Sequence, residues 1–114
     1  MQRKTVERTS QLLKGVLDMC LLAVIAEEPS YGYEMARKLE HRGLALVGEG
    51  SIYPLLSRLQ SRGLVETFMQ DSNEGPPRKY YRIAREGSRQ LAAWIDEWRS
   101  LADSVSSVIG GGSA

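Results

Sequence analysis

The chain has one cysteine, Cys20, and one histidine, His41. A single thiol excludes an intrachain disulfide framework and a cysteine-rich zinc site, and fits a reducing compartment. A single imidazole leaves little material for His-based metal or triad chemistry. Charge of either sign is not in excess: 15 Lys and Arg stand against 14 Asp and Glu, a formal +1. That balance excludes a polybasic tail protein and an acidic solvating one, so any nucleic-acid surface must be local. Long hydrophobic runs are missing as well. Met19 to Ala26 is the longest near the N-terminus, far short of the ~20 residues a membrane span requires. Lys14 and Asp18 interrupt the stretch that follows Arg3, Lys4 and Arg8, so no signal peptide is read there and the chain is expected to be cytoplasmic, without a membrane partner. No glycine loop fits a phosphate cradle, no metal spacing appears and no nucleophile has a histidine partner; an enzyme, a cofactor and a metal are all unexpected.

What is present is the composition of one ordinary globular domain, 114 residues at 42% hydrophobic and 25% charged. From Gln11 to about Ala26, Leu12, Leu13, Val16, Leu17, Cys20, Leu21, Val24 and Ile25 recur at helical spacing on a wide apolar face. Glu27, Glu28 and Pro29 stop this helix. Ser30 then offers an N-cap to a second helix, where Gly32, Met35, Ala36 and Leu39 share a face and Gly43 ends it. After a turn through Leu44 to Gly50, Ser51 caps a third helix with Pro54 in its first turn. Ile52, Leu55, Leu56 and Leu59 form its stripe, and Gly63 closes it. Leu64 to Gln70 and Lys79 to Ile83 read as two strands of a hairpin whose long tip spans Asp71 to Pro77. Tyr81, in phase with Ile83, is expected in the core.

The last helix, Arg85 to Ile109, carries Leu91, Trp94, Trp98, Leu101, Val105 and Val108 at alternating three- and four-residue spacing, widened by Ile95, Ala102 and Ile109. This is a heptad seam, and a second copy of the chain is its natural cover. The reading is mainly α with a small two-stranded β wing. Residues 1–10 form a flexible basic arm, 11–84 a winged helix-turn-helix, 85–109 a dimerisation helix, and 110–114 a disordered tail.

Four segments in order closely resemble the PadR family of bacterial transcriptional regulators: Tyr31-Gly32-Tyr33-Glu34, Glu49 to Leu59, Gly63-Leu64-Val65-Glu66, and Pro77 to Ile83 with Glu86-Gly87 following. The resemblance runs from about Leu12 to Leu101. It implies a winged helix-turn-helix repressor of the compact branch, dimeric through one C-terminal helix, whose third helix enters the major groove of an operator. It also implies an effector, since some relatives sense phenolic or drug-like compounds. Two departures stand out. Ala84 replaces a threonine that often caps the last helix, and the wing tip carries Glu74, which does nothing to attract phosphate.

The DNA-binding residues expected on this reading are Tyr33, Ser51, Tyr53, Pro54, Ser57 and Arg58 on the helices and Arg78, Lys79 and Arg82 on the wing. Arg58 suits a guanine edge; Ser51, Tyr53 and Ser57 suit phosphates or bases. The alternatives are that Tyr53 packs over Pro54 and that the cations are merely solvated. Residues 78–89 hold five cations against one carboxylate, and the first fourteen residues four against one, the footprint of phosphate contacts. Trp94 and Trp98 face one seam, either as an aromatic dimer contact or as the wall of a pocket for a planar aromatic molecule. Cys20 reads as a small buried hydrophobe, and His41 as a favourable charge at a helix C-terminus. The rival to an operator-binding regulator is a winged-helix module that binds protein, separable by its weaker salt sensitivity.

Overall fold

A computed structural model describes residues 8, 11–44 and 48–110 of the chain. The expected basic arm, apart from Arg8, the tail at 111–114 and the middle of the Leu44 to Gly50 turn lie outside the described residues.

The first helix is shorter than its periodicity suggests. Residues 11–14 form one helical turn, the chain then turns at Gly15 and Val16, and α1 (Leu17–Glu27) begins. Gly15 is a poor helix former, and the amides of Gly15 and Val16 reach back only three residues, to the carbonyls of Leu12 and Leu13 at 3.4 and 3.0 Å. Leu17, Leu21, Leu22, Val24 and Ile25 are buried.

Ser30 is not a helix cap. It pairs with Tyr81 in β1 (Ser30–Tyr31), an extended step that satisfies its backbone by a ladder. Its buried hydroxyl donates to the Glu28 carbonyl at 3.2 Å and accepts from Lys38 Nζ at 3.0 Å. α2 (Gly32–His41) follows, with Tyr31 at its N-cap and no side-chain cap bond. Gly43 at φ +98° ends it, as expected. Glu27 accepts two bonds from Arg42, both 2.7 Å, and Glu28 pairs with Lys38 at 2.9 Å, fastening α1 to α2. Hydrogen bonding from Arg42 holds the Glu27 carboxyl below its usual range against the opposing effect of burial, and the charges of Arg42 and Lys38 add to the lowering.

α3 (Glu49–Ser61) starts two residues ahead of Ser51, with Gly48 in extended conformation at the N-cap. Ser51 therefore lies in the first turn, its amide bonded to the Gly48 carbonyl at 3.0 Å. Pro54 falls inside the helix rather than in its first turn. Having no N–H, it leaves the carbonyl of exposed Gly50, four residues back, to solvent. Gly63 at φ +75° closes the helix.

The wing has a third strand. β2 (Val65–Ser72) and β3 (Gly75–Ile83) are antiparallel and β1 pairs on the other side of β3, giving the order β1-β3-β2. The hairpin is longer and its tip tighter than expected, since Ser72 opposes Gly75 across Asn73-Glu74. Pro76 and Pro77 are tolerated in β3 because β1 pairs only with Tyr80 and Tyr81, leaving that edge open.

α4 (Arg85–Val108) follows Ala84, which supplies no side-chain cap, as expected. Buried Gly87 lets the helix sit on the base of the wing. A Cβ there would collide with the Leu64 carbonyl oxygen and lie 2.8 Å from Ile83 Cγ1. The core joins α1 to Met35 and Leu39 of α2, Ile52, Leu56 and Leu59 of α3, and Leu64, Val65 and Tyr81 of the wing. α4 adds only partly buried Leu91 and Trp94 to it. The radius of gyration, 16.1 Å, exceeds the ~13 Å of a compact chain this size because α4 projects. Gly87→Ala is expected to destabilise the fold by about 1–3 kcal/mol, since the clashing atom is backbone and cannot rotate away. Urea unfolding checks this; an unchanged midpoint would place α4 differently on the wing.

Candidate nucleic-acid interface

On α3 the buried residues Ile52, Leu56 and Leu59 define the inner side. At about 100° per residue, Gly50, Pro54, Ser57 and Ser61 occupy the opposite side, with Tyr53 and Arg58 on its two flanks. All six are exposed, Tyr53 by 43%. The outer face is thus made largely of small residues, which allow close approach to another surface.

Tyr53 is set by a glycine on the neighbouring helix. A Cβ on Gly32 would stand 2.6 Å from the Tyr53 hydroxyl and 2.7 Å from its Cζ. With no side chain at Gly32, the Tyr53 ring lies against the start of α2. Together with Ser57 it then lines a groove of about 570 Å³ whose other walls are Tyr31, Gly32, Tyr33, Arg78, Lys79 and Tyr81. Five of the residues expected to bind DNA, Tyr33, Tyr53, Ser57, Arg78 and Lys79, meet here. Ser51, Pro54 and Arg58 remain exposed on α3 outside the groove lining.

Strand alternation separates the wing cations. Arg78, Tyr80 and Arg82 stand on one face, opposite Gln70, Phe68 and Glu66 of β2, while Lys79 and Tyr81 share the other. On the first face Tyr31, Tyr80 and Phe68 form an aromatic row with centroid spacings of 5.2 and 5.5 Å. Arg82 ends that row, 5.2 Å over the Phe68 ring and paired with Glu66 at 3.3 Å, and is not brought to the groove. Arg78 bends toward Tyr31, lies 4.5 Å over its ring and donates a hydrogen bond to its hydroxyl. Lys79 lies 5.7 Å over Tyr81, whose phenol is pushed up by burial.

Two residues at this surface were outside the expected set. Arg37 of α2 donates to the Tyr33 hydroxyl at 3.0 Å and lies 5.8 Å over its ring. The i, i+4 spacing of Tyr33 and Arg37 on a helix was the signal for it. Tyr31 had no such signal, because its role depends on β1.

A second groove, about 270 Å³, runs between the start of α1 and α4, lined by Gly15, Val16, Asp18, Met19, Trp94, Glu97, Trp98 and Leu101. The heptad seam divides here. Leu91 and Trp94 pack against the core of their own chain, and Trp94 also carries the Arg62 guanidinium at 5.5 Å. Ile95 and Ala102 are half-buried, while Trp98, Leu101, Val105, Val108 and Ile109 are 46–85% exposed. Cys20 is half-buried, its thiol pushed up by burial and by Asp18. Among the described residues no helix is long and apolar enough to cross a membrane, and no group of three or more His, Cys, Asp or Glu could hold a metal ion.

Residues 21–93 match the transcriptional regulator PadR-like family. A PadR-like transcriptional regulator from Bacillus cereus is 44% identical, with 89% of this chain and 98% of that one covered and a TM-score of 0.80. A PadR family transcriptional regulator from Eggerthella lenta is 31% identical, with 96% and 95% covered and a TM-score of 0.85. Bacillus subtilis PadR, solved with operator DNA, shares the fold at 20% identity and a TM-score of 0.64, over 70% of this chain and 46% of that one.

The Gly32–Tyr53 contact is directly testable. In Gly32→Ala the helix-propensity gain is small at the first helical residue, but the crowding atoms belong to the end of the Tyr53 side chain and can shift, so stability should change by no more than about 1–2 kcal/mol. The Tyr53 ring should nonetheless move, which its aromatic resonances report; unchanged resonances would mean that α2 and α3 separate instead.

Proposed function

The chain belongs to the PadR-like family of transcriptional regulators, and from that premise we propose that it is a homodimeric repressor that binds operator DNA with α3 and the wing and is released by a planar aromatic effector. The observation that carries the DNA reading is the groove joining Tyr53 and Ser57 of α3 to Arg78 and Lys79 of β3. A helix with small outward residues and a cationic wing beside it can enter a major groove and grip the flanking phosphates together. The operator complex of Bacillus subtilis PadR supports the same use of the fold. Arg58, on the outer flank of α3, is the side chain suited to a guanine edge, with Ser51 and Pro54 near the helix start.

A dimer suits this work because two recognition helices must meet successive major-groove faces about 34 Å apart. The exposed apolar half of α4 is the surface a second copy would cover. Beside it, the Trp94 and Trp98 groove, about 270 Å³ in one protomer, sits just below the ~300 Å³ typical of small-molecule sites. A partner helix laid along α4 would wall it further.

Binding of duplex DNA should weaken steeply with salt, and Lys79→Ala should flatten the salt slope by about one unit across all sequences, whereas Arg58→Ala should relax preference at one base of each half-site. Anisotropy titrations with duplexes selected from a random library measure both; a salt-insensitive affinity would favour a protein-binding module. For α4, Leu101→Glu should sediment as a monomer and lose tight operator binding. Indole quenching by a planar aromatic compound should vanish in Trp98→Ala and be opposed by operator to the same factor that the compound opposes DNA. A dimeric Leu101→Glu protein, or quenching indifferent to operator, would overturn the respective part.

A further inference from the structure

Among the described residues, six cations are held in two chemically different ways. Arg42, Lys38, Arg82 and Arg89 each pair with a carboxylate, from Glu27, Glu28, Glu66 and Glu86. At the α3 groove, and one turn along α2 from it, the partners are neutral phenols instead. Arg78 donates to the Tyr31 hydroxyl and lies over its ring, and Arg37 donates to the Tyr33 hydroxyl at 3.0 Å and lies over that ring. Glu40, one turn beyond Arg37, contributes to its electrostatic surroundings but makes no ion pair with it among the described residues.

We propose that Tyr31 and Tyr33 are positioning residues that hold Arg78 and Arg37 ready for phosphate, and that Arg37, on α2, is a DNA-backbone contact of this protein. The proposal rests on the DNA-binding reading above and adds to it a residue and a device. A phenol oxygen takes one of the five guanidinium donors and leaves the others, with the full positive charge, for an anion. A carboxylate partner would cancel that charge. An unheld arginine loses rotamer freedom when it binds; one already fixed against a ring loses less, so holding raises affinity with no added interaction. In a helix-turn-helix the first of the two helices crosses the phosphate backbone, which is the position of α2 and of Arg37.

The arrangement comes from three consecutive residues. Tyr31 is extended and paired with Tyr80, which sets it beside Arg78 of the same strand. Tyr33 is in the first turn of α2, one helical turn before Arg37. Gly32 between them leaves room for Tyr53. One tripeptide therefore sets a wing arginine, an α2 arginine and the tyrosine of α3.

The test is a double-mutant cycle read by anisotropy on a labelled mixed-sequence duplex about three helical turns long, at several salt concentrations. Arg37→Ala should weaken binding about tenfold and lower the salt slope by about 0.9 for each phosphate that Arg37 neutralises. Tyr33→Phe keeps the charge and the ring, so the slope should hold while affinity falls roughly threefold. In the Arg37→Ala background, Tyr33→Phe should have no further effect, a coupling that a merely structural tyrosine would not produce. Arg37→Lys should restore the slope but not the sensitivity to Tyr33→Phe. Tyr31→Phe and Arg78→Ala form the parallel cycle. An unchanged slope in Arg37→Ala, or effects of the two substitutions that simply add, overturns this inference and leaves the DNA reading standing. If the unaltered protein does not bind the duplex, the DNA reading itself fails and this inference with it.

Discussion

The antiparallel pairing of Ser30 and Tyr31 with Tyr81 and Tyr80 is the constraint on which the rest of the molecule depends. Two residues are enough because the register decides several contacts together. It buries Ser30, whose hydroxyl then links the Glu28 carbonyl to Lys38. It turns Tyr31 toward Tyr80 and Arg78. It also starts α2 at Gly32, directly under the Tyr53 ring. A one-residue slip would exchange the two sheet faces, sending Tyr31 inward and Ser30 outward. The wing, α2 and α3 are thus registered to one another by a strand too short to be stable alone.

The same economy holds at the other end of α3. Its C-cap residue, Arg62, lies over Trp94 of α4, and Trp94 is in turn a wall of the groove that also holds Trp98 and Leu101. One cation–π contact therefore separates the apolar surface of α4 from the helix expected to read DNA. Contiguity of this kind is not itself coupling, which requires an element with two arrangements that both sites bias. It does mean that a change at the groove needs no long route to reach α3.

Much of this was legible in the sequence, and the failures have identifiable physical origins. The stripe of Ile52, Leu56 and Leu59, the burial of Tyr81, the stops at Gly43 and Gly63 and the uncapped start after Ala84 follow from periodicity and local backbone preference. What was missed depends in part on tertiary pairing and in part on where glycine sets a helix boundary, as at Gly15 and Gly48. Ser30 has the chemistry of a cap and is used in a ladder; Ser51 looks like a cap and lies two residues inside the helix that Gly48 begins. β1 has two residues and hence no period to detect. The candidate site was legible as residue types, since Tyr53, Ser57, Arg78 and Lys79 do converge. The division of the wing arginines between a carboxylate and a phenol was not, because it follows from the strand register and the β1 crossover.

That division also resolves how a chain with a formal charge of only +1 can present a surface to a polyanion. At physiological salt exposed charges interact over about 8 Å, so the total charge matters less than which cations have been neutralised where. Glu27, Glu28, Glu66 and Glu86 each stand against a cation away from the α3 groove. Among the described residues the groove is lined by Arg78 and Lys79 with tyrosines, a serine and a glycine, and no carboxylate stands in its walls. The carboxylates thus shape the field by their location as much as the arginines do. Such a chain stays nearly neutral as a whole while two cations without a carboxylate partner among the described residues line one groove, the local charge that a polyanion requires.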